Sequence, residues 1–160
     1  MRLLIAAIGK LKRGPERDLF AHYLGRAEAA GRKLHLSPLN VIEVAESKAA
    51  TAKARMQAEA EMLLAKVPAP HKLVCLDPGG EAISSEAFAK LLAKCRDDGV
   101  DGIAFAIGGA DGLAREALAK AAKVLSLGAM TLPHGLARVV LAEQLYRSAT
   151  ILAGHPYHRA

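Results

Sequence analysis

Short apolar runs alternate along this chain with longer helix-forming stretches, and this alternation constrains the fold more than any other feature. Residues 3–8 and 103–107 are continuous apolar runs that end at Gly9 and Gly108. Such runs are typical of strands buried on both faces of a parallel sheet. Further strands are predicted at 34–44, 71–76 and 124–127, and helices at 16–29, 46–66, 84–98, 114–122 and 135–153. This order predicts a single α/β domain over residues 1–160, with a mostly parallel sheet and helices on both of its faces.

Local signals refine several of these elements. Pro38 interrupts the second strand, which is therefore expected at a sheet edge or with a bulge. The start of the second helix, residues 47–55, has little apolar periodicity beyond alanine, so we expect it to be exposed and mobile. Residues 77–80, Asp-Pro-Gly-Gly, predict a turn after the third strand. Ser84 or Ser85 is the expected N-cap of the third helix.

The charge balance favours an anionic partner. A net charge of +6 and a pI of about 9.5 are compatible with nucleic-acid binding, although such a charge also aids solubility on its own. Aromatic residues make up 4% of the chain and tryptophan is absent. This scarcity argues against an RNA-binding module that stacks bases on exposed rings.

Other features bound the cell compartment and the cofactor class. Cys75 and Cys95 lie far apart without a C-x-x-C spacing, so we expect buried free thiols and no metal site. The apolar N-terminus is too short for a signal peptide, and no uncharged run could cross a bilayer. These observations predict a cytoplasmic protein without a membrane partner.

Three loops are expected at the carboxyl edge of the sheet, where open α/β sheets bind ligands. They are residues 76–80, 108–112 and 128–134. Glycine in such loops lets a ligand approach the backbone closely. The middle loop has neither the G-x-G-x-x-G spacing of a dinucleotide fold nor the lysine of a P-loop. We therefore expect a ligand site built largely from backbone groups.

The C-terminal third adds candidate side chains. His134 lies in the last of these loops, where it could act as an acid or base or only bond to nearby backbone. The final helix is apolar on more than one side, which suggests a homodimer contact or a fully buried helix. The tail at 154–160 could donate to phosphates and bases, or could fold back onto its own domain.

The C-terminal residues also carry a family resemblance. Residues 131–134 (Thr-Leu-Pro-His), 138–147 and 155–159 (His-Pro-Tyr-His-Arg) resemble the large-subunit ribosomal RNA pseudouridine N3-methyltransferases of the SPOUT, or trefoil-knot, superfamily. Further matches lie at 8–12, 76–80, 85–89 and 107–113, so the resemblance extends from end to end of the chain. It implies one SPOUT domain whose C-terminal segment forms a deep trefoil knot, a feature that is almost absent from other proteins.

The resemblance also implies an obligate homodimer and S-adenosyl-L-methionine as cofactor. Its contacts, carried over position by position, fall on the three strand-end loops. The expected cofactor-binding residues are Leu76, Gly108, Leu127, Gly128, Ala129, Met130, Thr131 and Leu132.

The implied reaction is methyl transfer to N3 of a pseudouridine in 23S rRNA of the assembled ribosome. The N3 proton needs an acceptor, for which His134 and His158 are the candidates. The expected RNA-binding residues are Arg138, His155, Tyr157, His158 and Arg159. Two alternatives stay open: another knotted RNA methyltransferase acting on ribose or transfer RNA, and a ribosome-binding protein without catalysis.

Overall fold

The computed structural model describes residues 1–158, and for residue 158 the backbone only. Five strands form one parallel sheet in this part of the chain, in the order β2-β1-β4-β3-β5. Their bounds are β1 Arg2–Ile8, β2 Leu39–Val44, β3 Lys72–Ala82, β4 Gly102–Ile107 and β5 Lys123–Ser126. The predicted α/β class with a parallel sheet is confirmed, and the strand interrupted by Pro38 lies at an edge as expected.

Helices cover both faces of the sheet. Their bounds are α1 Pro15–Arg32, α2 Ala52–Leu64, α3 Ser85–Asp97, α4 Arg115–Lys120 and α5 His134–Leu152, followed by a 3-10 helix at Pro156–His158. The cores show the layering: α1, α3 and α5 pack on one face, and α2 and α4 pack on the other. The molecule is therefore a three-layer sandwich of the kind predicted.

The first strand shows why its apolar run is continuous. Leu3, Ile5 and Ala7 point into the core beneath α1, α3 and α5, whereas the alternate side chains point into the core beneath α2 and α4. Successive side chains of a strand face opposite sides, so a strand covered on both sides needs apolar residues at every position.

The third strand differs from its prediction. The strand continues to Ala82 instead of ending at residue 76, and the turn chemistry of residues 77–80 lies within it, since Asp77 Oδ1 accepts from Gly79 N at 2.9 Å. Leu76 and Glu81 are both register partners of Leu125, so the four residues between them arch away from the ladder. A Cβ at Gly80 would lie 2.6 Å from the backbone carbon of Leu125, so residue 80 packs against β5 more closely than a side chain allows.

The start of α3 agrees with its prediction, whereas the start of α2 does not. The second helix begins at Ala52 and not near 46, because the Thr51 hydroxyl accepts a hydrogen bond from Ala54 N and caps it. Ser84 caps α3 through a bond from Ala87 N, as predicted.

The final helix lies between two others. α5 packs against both α1 and α3, and ten of its nineteen residues are buried within the single chain. Packing within the chain therefore accounts for part of the apolar pattern of α5, whereas Leu136 is left 39% exposed.

Candidate functional site

A cavity of about 350 Å³ opens at the carboxyl edge of β3, β4 and β5. The three loops expected from the sequence form its walls. Seven of the eight predicted cofactor residues line it: Leu76, Gly108, Leu127, Gly128, Met130, Thr131 and Leu132. Ala129 is exposed and is not part of this lining. The volume falls in the range of small-molecule sites, roughly 300–1,000 Å³.

A second cavity of about 240 Å³ adjoins the first. The two share Leu76 and the segment 126–128, and the second extends toward α3 and α5. There the Ser85 hydroxyl donates to the side-chain oxygen of Gln144 at 2.7 Å. A bound molecule could therefore extend from one cavity into the other.

Backbone geometry shapes the main cavity. A Cβ at Gly108 would lie 2.6 Å from the carbonyl carbon of Gly112, so the loop closes on itself only because residue 108 has no side chain. On the opposite wall, Ser126 Oγ accepts from Gly128 N at 3.2 Å and donates to Gly128 O at 3.0 Å. Both walls are thus held in place before any ligand binds.

The second helix holds the loop at 108–112 from outside. Arg55 donates two hydrogen bonds to Asp111, at 2.7 and 3.2 Å, and a third to Ala49 O at 3.2 Å. These bonds hold the pKa of the Asp111 carboxyl below its usual range. Asp111 lines the cavity, so α2 fixes part of the site. The sequence gives no signal for this pair, because the partners lie 56 residues apart.

Of the two candidate proton acceptors, one lies at the cavity. His134 is the first residue of α5, is partly buried and lines the cavity beside Thr131 and Leu132. The backbone of His158 ends the 3-10 helix, and Arg159 lies outside the described residues.

Arg138 occupies a different position from the one expected. Its side chain is 0% exposed. Its guanidinium donates to Ile8 O, to Gly9 O at 2.8 Å and to Glu43 Oε1 at 2.9 Å. Burial lowers the pKa of this group, while Glu43 opposes the shift. A fully buried guanidinium bound to its own chain presents no surface to RNA, so the expected direct RNA contact does not fit this fold.

Residues 155–157 of the tail follow the alternative in which the tail folds back onto its own domain. His155 Nδ1 accepts from Tyr157 N at 3.2 Å. The Tyr157 ring lies 4.5 Å from that of Tyr146, and its hydroxyl donates to Glu143 at 3.2 Å. Burial is the largest of the effects that raise the pKa of this hydroxyl. Glu143 lies nine residues, roughly 14 Å, along α5 from His134, so Tyr157 packs on the middle of the helix and not at its first turn.

Other reactive groups are accounted for elsewhere. Cys75 and Cys95 are free and buried, as predicted. Burial raises the pKa of Cys75 to about 11, so at neutral pH it is a thiol and a poor nucleophile. Residues 1–158 contain no cluster of three or more potential metal ligands. Within the same range, none of the helices has the length and apolar character needed to cross a membrane.

Comparisons with known proteins agree over the full length of the chain. A family model described as predicted SPOUT methyltransferase matches residues 1–158. A protein of Xanthobacter autotrophicus named ribosomal RNA large subunit methyltransferase H is 53% identical over 160 residues, which is 100% of each chain. A protein of the same name from Rhodopseudomonas palustris is 54% identical over the same span.

A distant likeness links the chain to a solved structure of a putative methyltransferase from Legionella pneumophila in complex with bound SAM. The TM-score is 0.42 and the identity 13%, over 91% of this chain and 65% of the other. The family assignment comes from the matching family model and from relatives that share half of their residues with the whole chain. The chain belongs to the SPOUT methyltransferase family.

Proposed function

We propose that this chain transfers a methyl group from S-adenosyl-L-methionine to N3 of a pseudouridine in large-subunit ribosomal RNA, within the assembled ribosome. The observation that carries the proposal is the cavity formed by three loops at the carboxyl edge of the sheet, with a lining that is largely backbone and apolar. Relatives named for large-subunit ribosomal RNA methylation support the substrate class.

The lining fits this cofactor chemically. Leu76, Ile107 and Leu132 offer apolar surface to a planar base, and the glycine-rich loops offer backbone groups at close range. Asp77 and Asp111 place carboxylates in the same lining, where they can accept from ribose hydroxyls or face a cationic group. S-adenosyl-L-methionine combines a base, a ribose and positive charge.

The chain itself contributes alignment and proton transfer. When bound, the cofactor supplies an electrophilic methyl group. The fixed loops at 108–112 and 126–128 hold the reacting parts in one geometry and exclude competing water. N3 of the target loses a proton, and the imidazole of His134 lies at the cavity wall, where a ring nitrogen can accept it.

The dimer belongs to this proposal. Within one chain the Tyr157 ring packs on Tyr146 and its hydroxyl bonds to Glu143, roughly 14 Å along α5 from His134, and we expect the tail to serve the cavity of a second copy. Leu136, 39% exposed, and Met130, 83% exposed, leave apolar surface beside the cavity. We expect this surface to contact the partner.

Mixed dimers test this arrangement. One subunit carries Gly108→Val, which blocks its cavity, and the other is truncated after Gly154. Each homodimer is expected to be inactive. A tail that serves the partner's cavity predicts activity in the mixed dimer, because one intact cavity then faces one intact tail. An inactive mixed dimer with normal sedimentation as a dimer would contradict the cross-subunit role.

The knot is also part of the proposal. One observation supports it: the chain returns from edge strand β5 to start α5 beside Leu11 and Glu16. Such a path brings residues 127–133 back across the carboxyl edge of the sheet.

Mass spectrometry of ribosomal RNA from a strain that lacks the gene tests the activity. We expect one pseudouridine of the large subunit to lose its N3 methyl group, and a wild-type copy of the gene to restore it. Loss of a ribose methyl or of a transfer-RNA methyl would favour another knotted methyltransferase. Unchanged RNA together with no heat of S-adenosyl-L-methionine binding would indicate a binding protein without catalysis.

A further inference from the structure

The loop between β1 and α1 carries three positive charges within four residues, and the site described above does not use them. This loop, residues 9–14, is called the basic loop below. Its Lys10, Lys12 and Arg13 side chains are all exposed. Within residues 1–158 none of the three forms an ion pair with a carboxylate. Unpaired charges in such a row favour a polyanionic partner.

Hydrogen bonds from buried groups fix the backbone at the start of the basic loop. Gly9 has a φ of +84°, and its N donates to Val44 O at 2.7 Å. The buried guanidinium of Arg138 binds Ile8 O and Gly9 O. Glu43, which pairs with the same guanidinium, also accepts from Leu11 N at 2.9 Å. A buried arginine and one carboxylate thus fix the start of an exposed loop.

The basic loop lies next to the cavity. β1 and β4 are parallel neighbours, so the residues that follow them emerge side by side. A Cβ at Gly109, in the cavity wall, would lie 3.0 Å from Cγ2 of Ile8. A Cβ at Gly135, the residue after His134, would lie 3.3 Å from Cδ2 of Leu11. The fixed end of the loop is therefore in contact with two segments of the site.

We propose that the basic loop binds phosphates of the ribosomal RNA beside the methylated base, and that Arg138 is the positioning residue that fixes this loop. The inference rests on the proposed function, since it names where the RNA of that reaction docks. Phosphate contacts of this kind fix the register of a nucleic acid on a protein without reading its sequence. A loop that is already ordered loses little conformational entropy when RNA binds.

The test compares two variants with equal charge loss. The loop variant is Lys10→Gln, Lys12→Gln and Arg13→Gln. The control is Arg2→Gln, Lys33→Gln and Lys66→Gln, three exposed positions at the opposite edge of the sheet. The probe is the ribosome purified from a strain that lacks the gene. Its affinity is measured between 50 and 200 mM KCl, and S-adenosyl-L-methionine binding is measured by calorimetry.

The loop variant is expected to bind the ribosome about 10- to 100-fold more weakly at low salt, and its slope of log affinity against log salt should fall by about 2–3. Its cofactor affinity should match that of the wild type. Equal losses of ribosome affinity in the two variants would overturn the proposal and indicate that diffuse positive charge drives binding. The proposal would also be overturned if the loop variant bound the ribosome as tightly as the wild type, or if it bound the cofactor more weakly. If wild-type protein leaves the ribosomes unmethylated, the proposed function has failed instead.

A double-mutant cycle tests Arg138. In the wild-type background Arg138→Met should weaken ribosome binding because the loop loses its anchor. In the background of the loop variant it should add no further loss, since the charges it positions are gone. Additive losses would contradict the positioning role. If Arg138→Met does not fold, Glu43→Gln takes its place in the cycle, because it weakens the ion pair and keeps an acceptor for Leu11 N.

Discussion

The structure leaves no space for a Cβ at Gly108, and this absence sets the shape of the loop in the site. The residue is buried, and a Cβ there would lie 2.6 and 2.7 Å from the carbonyl carbon and oxygen of Gly112. We therefore expect Gly108→Ala to push the turn at residues 109–113 outward, at a cost of about 1–3 kcal/mol as in other overpacked positions. S-adenosyl-L-methionine binding measured by calorimetry should weaken by roughly 5- to 100-fold.

Gly25 provides the matched control for this substitution. It lies within α1, and a Cβ there meets no atom within 4 Å. Gly25→Ala should leave cofactor binding unchanged and stabilise the fold by about 0.5–1 kcal/mol, since alanine is the better helix former. If the two alanine variants bind the cofactor with equal affinity, then cofactor binding does not depend on the absence of a side chain at position 108.

Single residues show where sequence reasoning succeeds and where it stops. The loops around Leu76, Gly108 and Leu127 could be found because strand ends and glycines leave local patterns, and the resemblance added the contacts. The charge of Arg138 predicts contact with RNA at the surface, because a sequence shows that a residue is charged but not that it is buried. The Arg55–Asp111 pair left no trace, because a tertiary ion pair depends on two distant segments meeting.

Among the elements, α2 has a function that its composition does not reveal. Its first turns hold the wall of the cavity through Arg55 and Asp111. Hydrogen bonds from Arg55 are the largest cause of the lowered pKa of Asp111. The pKa of Asp111 is lower in the folded state than in the unfolded state. The ion pair therefore stabilises the fold fully at pH values above the unfolded-state pKa, and this stabilisation is lost as the pH falls through the folded-state pKa.

We therefore expect the carboxyl of Asp111, followed by NMR, to titrate below its usual pKa in the wild type and to return toward that value in Arg55→Gln. The Arg55–Asp111 pair should cause no change in cofactor affinity between about pH 5 and pH 8, because Asp111 is ionised over this whole range. Arg96→Gln is the control and should leave the pKa of Asp111 unchanged, because the partner of Arg96 is Asp97, which lies on α3 and outside the cavity lining. A low Asp111 pKa that persists without Arg55 would assign the shift to another cause.

Element boundaries were predictable where a cap or a glycine marks them, as at Ser84 and Gly9. They were missed where long-range pairing overrides local chemistry. The sequence Asp-Pro-Gly-Gly at 77–80 predicts a turn that ends the strand, yet these residues form only a local excursion because Glu81 and Ala82 pair with β5 beyond it. Local turn preference amounts to little beside the hydrogen bonds that a second strand supplies.

On the scale of the whole molecule, the strand order places every functional segment at one edge. β1, β4, β3 and β5 are parallel neighbours, so the basic loop, the cavity walls and the start of α5 emerge together. Under the proposed function, this edge would hold both the RNA and the cofactor.

Pulling the chain by its two ends tests the proposed knot. An unknotted chain of 160 residues extends to about 530–580 Å. If the segment after β5 threads a loop, the unfolded chain tightens into a knot under force and its contour length falls short of that value. Handles at Arg2 and Lys94 provide the control, because this span ends before the threading segment and should extend fully. Full extension from both ends would show that the chain is not knotted.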